Sequence, residues 1–187
     1  DHFLGTDQLG RDLFYRVMLG ARTSISIAVS AVLLSLIIGL PMGLISGFFR
    51  GTVDNILMRL VDTLLSFPAL LLALTISAVL GPNLKNTILA IGIAFTPYLA
   101  RLIRGEALRV SQMPYVEAAK AAGANNFRIM VGHILPNITP VIIVQFTISL
   151  AFAILAEAGL SFLGLGTQPP EASWGLMIQA SRDYLDR

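Results

Sequence analysis

Residues 23–49 read TSISIAVSAVLLSLIIGLPMGLISGFF, a run of 27 residues without a charged side chain. A helix needs about 20 apolar residues to cross a hydrocarbon core of roughly 30 Å. At roughly 1.5 Å per residue this run gives about 40 Å of helix, so it can span a bilayer with length left for tilt. Within it, Pro41 and the glycines at 39, 43 and 47 predict a kink or close helix contacts.

The composition of the whole chain agrees with a membrane location. Hydrophobic residues make up 55% of the chain, charged residues 13%, and the mean hydropathy is +0.76. Soluble domains carry about 25% charged residues, so the chain is predicted to be an integral membrane protein. A net charge of +2 does not suggest nucleic acid binding, and without cysteine the chain has no thiolate metal site. The chain opens on Asp1 without a visible targeting segment, and we expect it to be a fragment of a longer protein.

Three further apolar runs predict a total of four membrane spans. They cover residues 63–84, 86–100 and 134–156. The run at residues 86–100 is short, and the span is completed by the residues around Arg101 and Arg104. We expect these two arginines at the water boundary because arginine is costly near a bilayer centre. The fourth ends at Glu157. Residues 158–170 are apolar but rich in glycine and too short to cross.

Charged segments between the runs predict interfacial helices and an orientation. The stretch Val53–Asp62 has one apolar helical stripe, and its Arg59 and Asp62 are spaced to pair within a helix. The stretch Arg11–Arg22 predicts an amphipathic surface helix. Five basic residues fall in the Arg101–His133 loop, which we therefore place in the cytoplasm.

That loop has the clearest local chemistry in the chain. Pro114 suits the first turn of a helix, the alanines that follow favour helix, and Gly123 fits a left-handed C-terminal cap. Asn125 or Asn126 can cap a second short helix, which we expect to end where Pro136 leads the chain into the membrane. Such a hairpin offers a smooth alanine surface with Tyr115 and Phe127 as anchors and Glu117 as a charge. Taken alone, the pattern favours an amphipathic connector over a docking hairpin.

Several motifs along the chain resemble those of one transporter family. Glu117-Ala118-Ala119, Gly123 and Leu135-Pro136 match the EAA loop of ABC importer permeases, although His133 stands where many of these permeases have Ile. Further matches to dipeptide, oligopeptide and nickel permeases follow in order along the chain: Gly5-Thr6-Asp7-Gln8-Leu9-Gly10-Arg11-Asp12, Gly20-Ala21-Arg22-Thr23-Ser24, Asp54-Asn55-Ile56-Leu57-Met58-Arg59, Leu160-Ser161-Phe162-Leu163-Gly164-Leu165-Gly166, Pro169-Pro170 and Ser173-Trp174-Gly175.

The resemblance implies an all-α membrane fold, the type I ABC importer (MetI-like) transmembrane domain. Such permeases have six helices per subunit, so the four spans here would be the second to the fifth. Residues 1–22 would be an extracytoplasmic approach with an amphipathic helix. Residues 23–156 would be the transmembrane core, with the coupling loop at 111–136. Residues 157–187 would be an extracytoplasmic segment before a missing last helix.

The resemblance also implies partners and contact residues. Two ATPase subunits would bind ATP and Mg²⁺, leaving this chain without a cofactor of its own. A second permease subunit, forming a heterodimer, and an extracytoplasmic substrate-binding protein would complete the complex in a bacterial or archaeal cytoplasmic membrane. The ATPase contacts would be Tyr115, Glu117, Ala118, Ala119, Gly123, Phe127 and Pro136. The candidates on the binding-protein side are Asp7, Arg11, Asp12 and Trp174. Asp7, Arg11 and Asp12 could instead cap a surface helix starting near Leu9. Trp174 could instead be an interfacial anchor.

The predicted function is a permease subunit that imports peptides by alternating access, with nickel as the alternative substrate. No Gly-x-x-x-x-Gly-Lys-Ser/Thr loop occurs, so the energy must come from a partner. An ion-coupled carrier, the other class considered, would keep ionisable residues inside its spans, and none lies in the interior of the predicted ones. Gln145, Thr147 and Ser149 are pathway candidates, with helix packing as the alternative role. His2 and His133 are isolated and no catalytic or metal-ligand spacing appears, so catalysis is not expected.

Overall fold

The computed structural model describes residues 2–7 and 9–182, and all their regular elements are helical. The last five residues of the predicted 157–187 segment therefore lie outside the described residues. The helices are α1 (Leu13–Phe49), α2 (Gly51–Leu65), α3 (Ala69–Leu80), α4 (Leu84–Val110), α5 (Pro114–Ala121), α6 (Asn126–Ile129), α7 (Leu135–Phe162) and α8 (Trp174–Ser181), with a π-helical turn at Met130–Ile134 between α6 and α7.

Among the described residues, three helical stretches are long and apolar enough to cross a membrane: Leu13–Phe49, Leu84–Val110 and Asn126–Phe162. The α2–α3 pair makes a fourth span if it is counted as one, although its two helices meet at 86°. Helix α4 is the centre of the bundle, since 56% of its apolar window is buried, against 33% for the first stretch and 17% for the last. The all-helical membrane fold predicted from the sequence is therefore confirmed.

Helices α1 and α4 pack closely along the glycines of the opening run. A Cβ on Gly43 would lie 2.6 Å from the carbonyl oxygen of Ala100, and one on Gly47 would lie 2.7 Å from the carbonyl oxygen of Arg104. Small residues spaced by four let two helix backbones approach in this way. The close contacts predicted for residues 39–47 are thus confirmed. Helix α1 nevertheless continues through Pro41 to Phe49.

Two apolar clusters fill the bundle at different heights. One surrounds Ile27, Ile91 and Leu160, and the other surrounds Ile103, Val116 and Ile134. The first belongs to the end of the bundle where α1 begins and Trp174 lies, which we call the Trp174 end. The second belongs to the end where α1 stops and α5 lies, which we call the α5 end. The predicted loop at 111–136 therefore lies at one end of the bundle, and the described residues of the predicted segments 1–22 and 157–187 lie at the other.

The first helix and the second span differ from their predictions. The surface helix expected within Arg11–Arg22 is not a separate element, because α1 starts at Leu13, not near Leu9, and runs on without a break. Asp12 ends the preceding loop by accepting a hydrogen bond from the backbone N–H of Tyr15 at 3.0 Å. The predicted span at 63–84 is interrupted before α3, where Pro68 has an extended backbone that a helix cannot continue through.

The prediction that the second loop helix ends at Pro136 is wrong. The chain stays helical from α6 into α7 because the π turn changes the hydrogen-bond pattern just before the proline. The N–H of Leu135 bonds to the carbonyl of Met130, five residues back. Pro136 then sits in the first turn of α7, where its missing N–H costs little.

Helix α7 also extends past Glu157 to Phe162, so Glu157 lies inside a helix and not at its end. The expected helix pair between Arg59 and Asp62 does not form. Asp62 instead forms an ion pair with Arg101 of α4. The fold brings these side chains together from different helices, which spacing within one helix could not predict.

Candidate functional site

Helix α5 is a short, exposed helix with a rigid C-terminal corner. Gly123 has φ +80°, the left-handed conformation predicted for it. Its N–H bonds to the carbonyl of Lys120 at 3.0 Å, and the N–H of Ala124 bonds to the carbonyl of Ala119 at 3.0 Å. These two bonds form a Schellman motif, which fixes the direction in which the chain leaves the helix. Asn125 then caps α6 by accepting from the N–H of Arg128 at 2.7 Å.

The hairpin made by α5, α6 and the π turn is held to the bundle by its inner face. Val116, Ile129 and Ile134 are fully buried in the cluster at the α5 end. The Nζ atom of Lys120 lies 5.1 Å from the centroid of the Phe48 ring at the end of α1. Helix α6 continues through the π turn into α7, so the hairpin is continuous with a membrane-spanning helix.

The outer face of the hairpin carries most of the predicted contact residues. Phe127 is 70% exposed and Tyr115 is 43% exposed. The Glu117 side chain is exposed and forms no hydrogen bond or ion pair with any described residue. Of the remaining predicted residues, Ala118, Gly123 and Pro136 are exposed and Ala119 is half-buried. Exposed aromatic side chains and a carboxylate without a described partner on one hairpin are suited to docking a protein partner.

A groove of about 410 Å³ opens between α3, α4 and α7. Gln145 and Ser149 line it and share a hydrogen bond of 3.2 Å. Thr147, the third pathway candidate, does not line it and donates to the carbonyl of Ile143 within its own helix. The remaining lining residues are apolar or aromatic: Ala69, Leu70, Phe95, Tyr98, Ile148, Phe152, Leu155 and Ala156. None of the described residues that line the groove is charged.

The four candidates for a binding-protein contact lie at the Trp174 end. Asp7 pairs with Arg11 at 2.9 Å, and Asp12 is hydrogen-bonded to His2 at 3.0 Å. The hydrogen bond with His2 and the one from the N–H of Tyr15 hold the pKa of Asp12 below its ordinary value.

Trp174, the fourth candidate, is half-buried and packed on the start of α1. Its Nε1–H donates to the carbonyl of Val17 at 3.2 Å, and a Cβ on Gly20 would lie 3.2 Å from its ring. These contacts join α8 to α1 and leave only part of the ring available to a partner.

A buried polar cluster near the same end was missed by sequence reasoning. The Glu157 side chain is fully buried and accepts hydrogen bonds from Ser24 at 2.8 Å and Ser161 at 2.7 Å. Thr167 and Ser173 continue the chain of hydroxyls, joined by a bond of 2.7 Å. The sequence signal was an isolated Glu at the end of an apolar run, but nothing in the pattern pointed to Ser24, 133 residues away.

A second missed cluster lies near the α5 end. The guanidinium of Arg104 binds the carboxylate of Asp54 through two nitrogens at 2.5 Å each, and Ser46 donates to the same carboxylate. Arg50 donates to the hydroxyl of Ser111, the residue that ends α4, at 3.2 Å. The sequence predicts a water-boundary position for Arg104 and places Asp54 in a motif, but it does not predict that the two side chains pair.

The fold defines a multi-pass helical membrane protein with an exposed helical hairpin at one end. Residues 39–182 match the family model described as the inner membrane component of binding-protein-dependent transport systems. The chain belongs to this family.

Relatives and a solved structure agree with the family assignment. The chain is 47% identical over 184 residues to a putative peptide transport system permease protein of Brucella suis, covering 98% of this chain and 62% of the relative. It is 41% identical over 181 residues to a glutathione transport system permease protein of Pectobacterium atrosepticum, covering 97% of this chain and 60% of the relative. The chain thus spans about three-fifths of the length of these relatives.

An inward-facing structure of the MetNI methionine ABC transporter superimposes with a TM-score of 0.75 at 19% identity, covering 92% of this chain and 82% of that one. At this identity the match shows the fold alone. It confirms the MetI-like fold predicted from the sequence.

Proposed function

We propose that this chain is the membrane core of a permease subunit in an ATP-driven importer that works by alternating access. The observation that carries the proposal is the hairpin: an exposed Phe127 and an unpaired Glu117 stand on a Schellman-capped corner that continues into α7. The chain has no phosphate-binding loop. Two separate ATPase subunits would therefore bind ATP and Mg²⁺ and dock on the hairpin, and this subunit would itself be non-catalytic.

The proposed complex contains two further proteins. A second permease subunit would cover the open side of the groove, because polar Gln145 and Ser149 are poorly suited to face lipid. A substrate-binding protein would dock at the Trp174 end, on the opposite side of a cytoplasmic membrane. This arrangement is supported by the family, whose members are inner membrane components of binding-protein-dependent systems.

Peptides are the proposed substrates, and two observations favour them over nickel. Both relatives described above are named as permeases for peptides or for glutathione, itself a tripeptide. Second, none of the described residues lining the groove has an imidazole or carboxylate side chain, whereas nickel sites in proteins use imidazole, thiolate and carboxylate ligands. An uncharged groove with aromatic walls suits a transient contact with a peptide.

Buried Glu157 is the one observation that favours an ion-coupled carrier, because intramembrane carboxylates often bind ions. The packing around it argues against that role. Both of its oxygens accept hydrogen bonds from serine hydroxyls. A Cβ on nearby Gly166 would lie only 2.0 Å from the Ser161 hydroxyl, so the backbone packs directly against this cluster. Glu157 is better explained as a packing contact between α1 and α7.

Transport by the reconstituted complex tests the proposal. The full-length protein, its partner permease, the ATPases and the binding protein are placed in proteoliposomes with labelled di- and tripeptides outside. We expect peptide uptake only when ATP is enclosed, because the chain has no energy source of its own. Labelled nickel serves as the comparison substrate. Uptake driven by a proton gradient without ATP would contradict the proposal and support the carrier class.

The orientation of the hairpin gives a separate prediction. A reporter inserted at Gly123 of the full-length protein should report a cytoplasmic location, because the ATPases can dock only there. Gly123 suits the insertion since a Cβ there would meet no atom within 4 Å. The matched control is an insertion at Gly5, which is equally open but lies at the Trp174 end. It should report the other side, and a cytoplasmic signal at Gly5 with none at Gly123 would reverse the topology.

A further inference from the structure

Helix α2 is tied to α4 by charges that the proposed function does not use. Asp54 lies in the first turn of α2 and is only 8% exposed. Arg104 holds it through two parallel hydrogen bonds, an arrangement that fixes orientation as well as distance. Two turns further along α2, Asp62 pairs with Arg101. The Asp54–Arg104 pair holds α2 against α4, and the Asp62–Arg101 pair, whose side chains are more than half exposed, adds a weaker contact that opposes rotation of α2.

The corner where α1 meets α2 is fixed to the corner where α4 meets α5. Arg50 has φ +53°, a backbone conformation that a residue with a Cβ rarely adopts. From there its guanidinium reaches the hydroxyl of Ser111, which is 4% exposed. Only Gln112 and Met113 separate Ser111 from α5. The hairpin and the start of α2 are therefore connected by side chains as well as by α4.

The far end of α2 leads to the groove. After the 86° bend at residues 66–68 the chain enters α3, whose first residues, Ala69 and Leu70, line the groove wall. The contacts thus form a continuous path from α5 through the end of α4 and across the ion pairs to α2. From α2 the path continues around the bend to the groove.

We propose that the Asp54–Arg104 and Asp62–Arg101 pairs join α2 and α4 into one lever, which transmits displacement of α5 to the groove through the start of α3. The proposal rests on the proposed function, since it assumes that a partner displaces α5. The two aspartates and two arginines are positioning residues, and none needs to touch the transported molecule. A broken pair would let α4 move while α2 and the groove wall stay behind.

The first test separates energy use from transport in the reconstituted complex. Asp54→Asn leaves Arg104 without its counter-charge, and the ratio of peptide imported to ATP hydrolysed should fall about tenfold or more. The control is Glu106→Gln. It removes the exposed Glu106–Arg109 pair, which lies within α4 and joins no second helix. The control should keep the wild-type ratio. A wild-type ratio in Asp54→Asn would overturn the lever.

The second test works even if Asp54→Asn fails to assemble. Residues 1–187 contain no cysteine, so Asp62→Cys and Arg101→Cys introduce the only thiols in this part of the protein. Bridging them with a short bismaleimide should keep the import ratio at or above that of the untreated variant, because the lever moves α2 and α4 together. Loss of import on bridging would show that the two helices must move apart, and would overturn the lever. Failure of the proposed function differs from both results, since the wild-type complex would then show no ATP-dependent import.

Discussion

Replacing Gly43 by alanine should lower the free energy of unfolding by about 1–3 kcal/mol, although alanine is the better helix former. The added Cβ would lie 2.6 Å from the carbonyl oxygen of Ala100 and 2.7 Å from the Cβ of Ile103. Both are atoms that a rotamer change cannot move, so α1 and α4 must separate. Thermal unfolding of the full-length protein in detergent measures the loss. Gly43→Leu should be worse and should abolish accumulation in the membrane.

The matched control for this prediction is Gly105→Ala on α4. A Cβ on Gly105 meets no atom within 4 Å, so this variant should gain up to about 1 kcal/mol from helix propensity alone. If Gly43→Ala lowers the free energy of unfolding and Gly105→Ala raises it, the loss in the first variant comes from the α1–α4 contact. Equal stability of the two variants would mean that the helices are not packed as closely as described.

Replacing Phe127 by alanine should weaken binding of the ATPase subunits by about 30-fold to 1000-fold, the range for an aromatic side chain central to an interface. Phe127 is 70% exposed, so its loss should leave the permease folded. Gly123→Glu should give a similar loss, because it adds strain at φ +80° and a charge beside the docking face. Co-purification and titration with the ATPase subunits measure the effect.

Phe3→Ala is the control for this experiment. Phe3 is 89% exposed but lies at the Trp174 end, so its removal should not change ATPase binding. The thermal stability of all three variants should be measured beside their affinity. Full ATPase affinity in Phe127→Ala and Gly123→Glu would show that the hairpin is a connector, the other interpretation that its sequence allows.

The local features of the hairpin could be predicted because their causes are local. A proline at the start of α5, a run of alanines and a left-handed Gly123 act within one or two turns of the chain. The same holds for Asn125, which caps α6 through a neighbour three residues away. The error at Pro136 came from a π turn, for which the sequence gives no comparable signal.

Partners from distant parts of the chain could not be predicted in the same way. Asp62 has Arg59 nearby in sequence, yet it pairs with Arg101. Glu157 stands at the edge of an apolar run, yet it is fully buried against a serine of α1. In each case the partner depends on which helices pack against each other. The residues next to a charged side chain in the sequence do not indicate that packing.

The sequence by itself determined that this is a membrane protein built of helices, because charge-free runs of this length have no other solvent in which to be stable. It also determined where the helices of the hairpin begin and how α5 ends. Only the tertiary structure decided that α2 is held to α4, that Glu157 lies in the bundle, and that Gln145 and Ser149 share a groove that Thr147 does not reach. Composition and local sequence pattern determine that the chain lies in a membrane and where its helices form. Which helices contact each other depends on how closely their surfaces can pack.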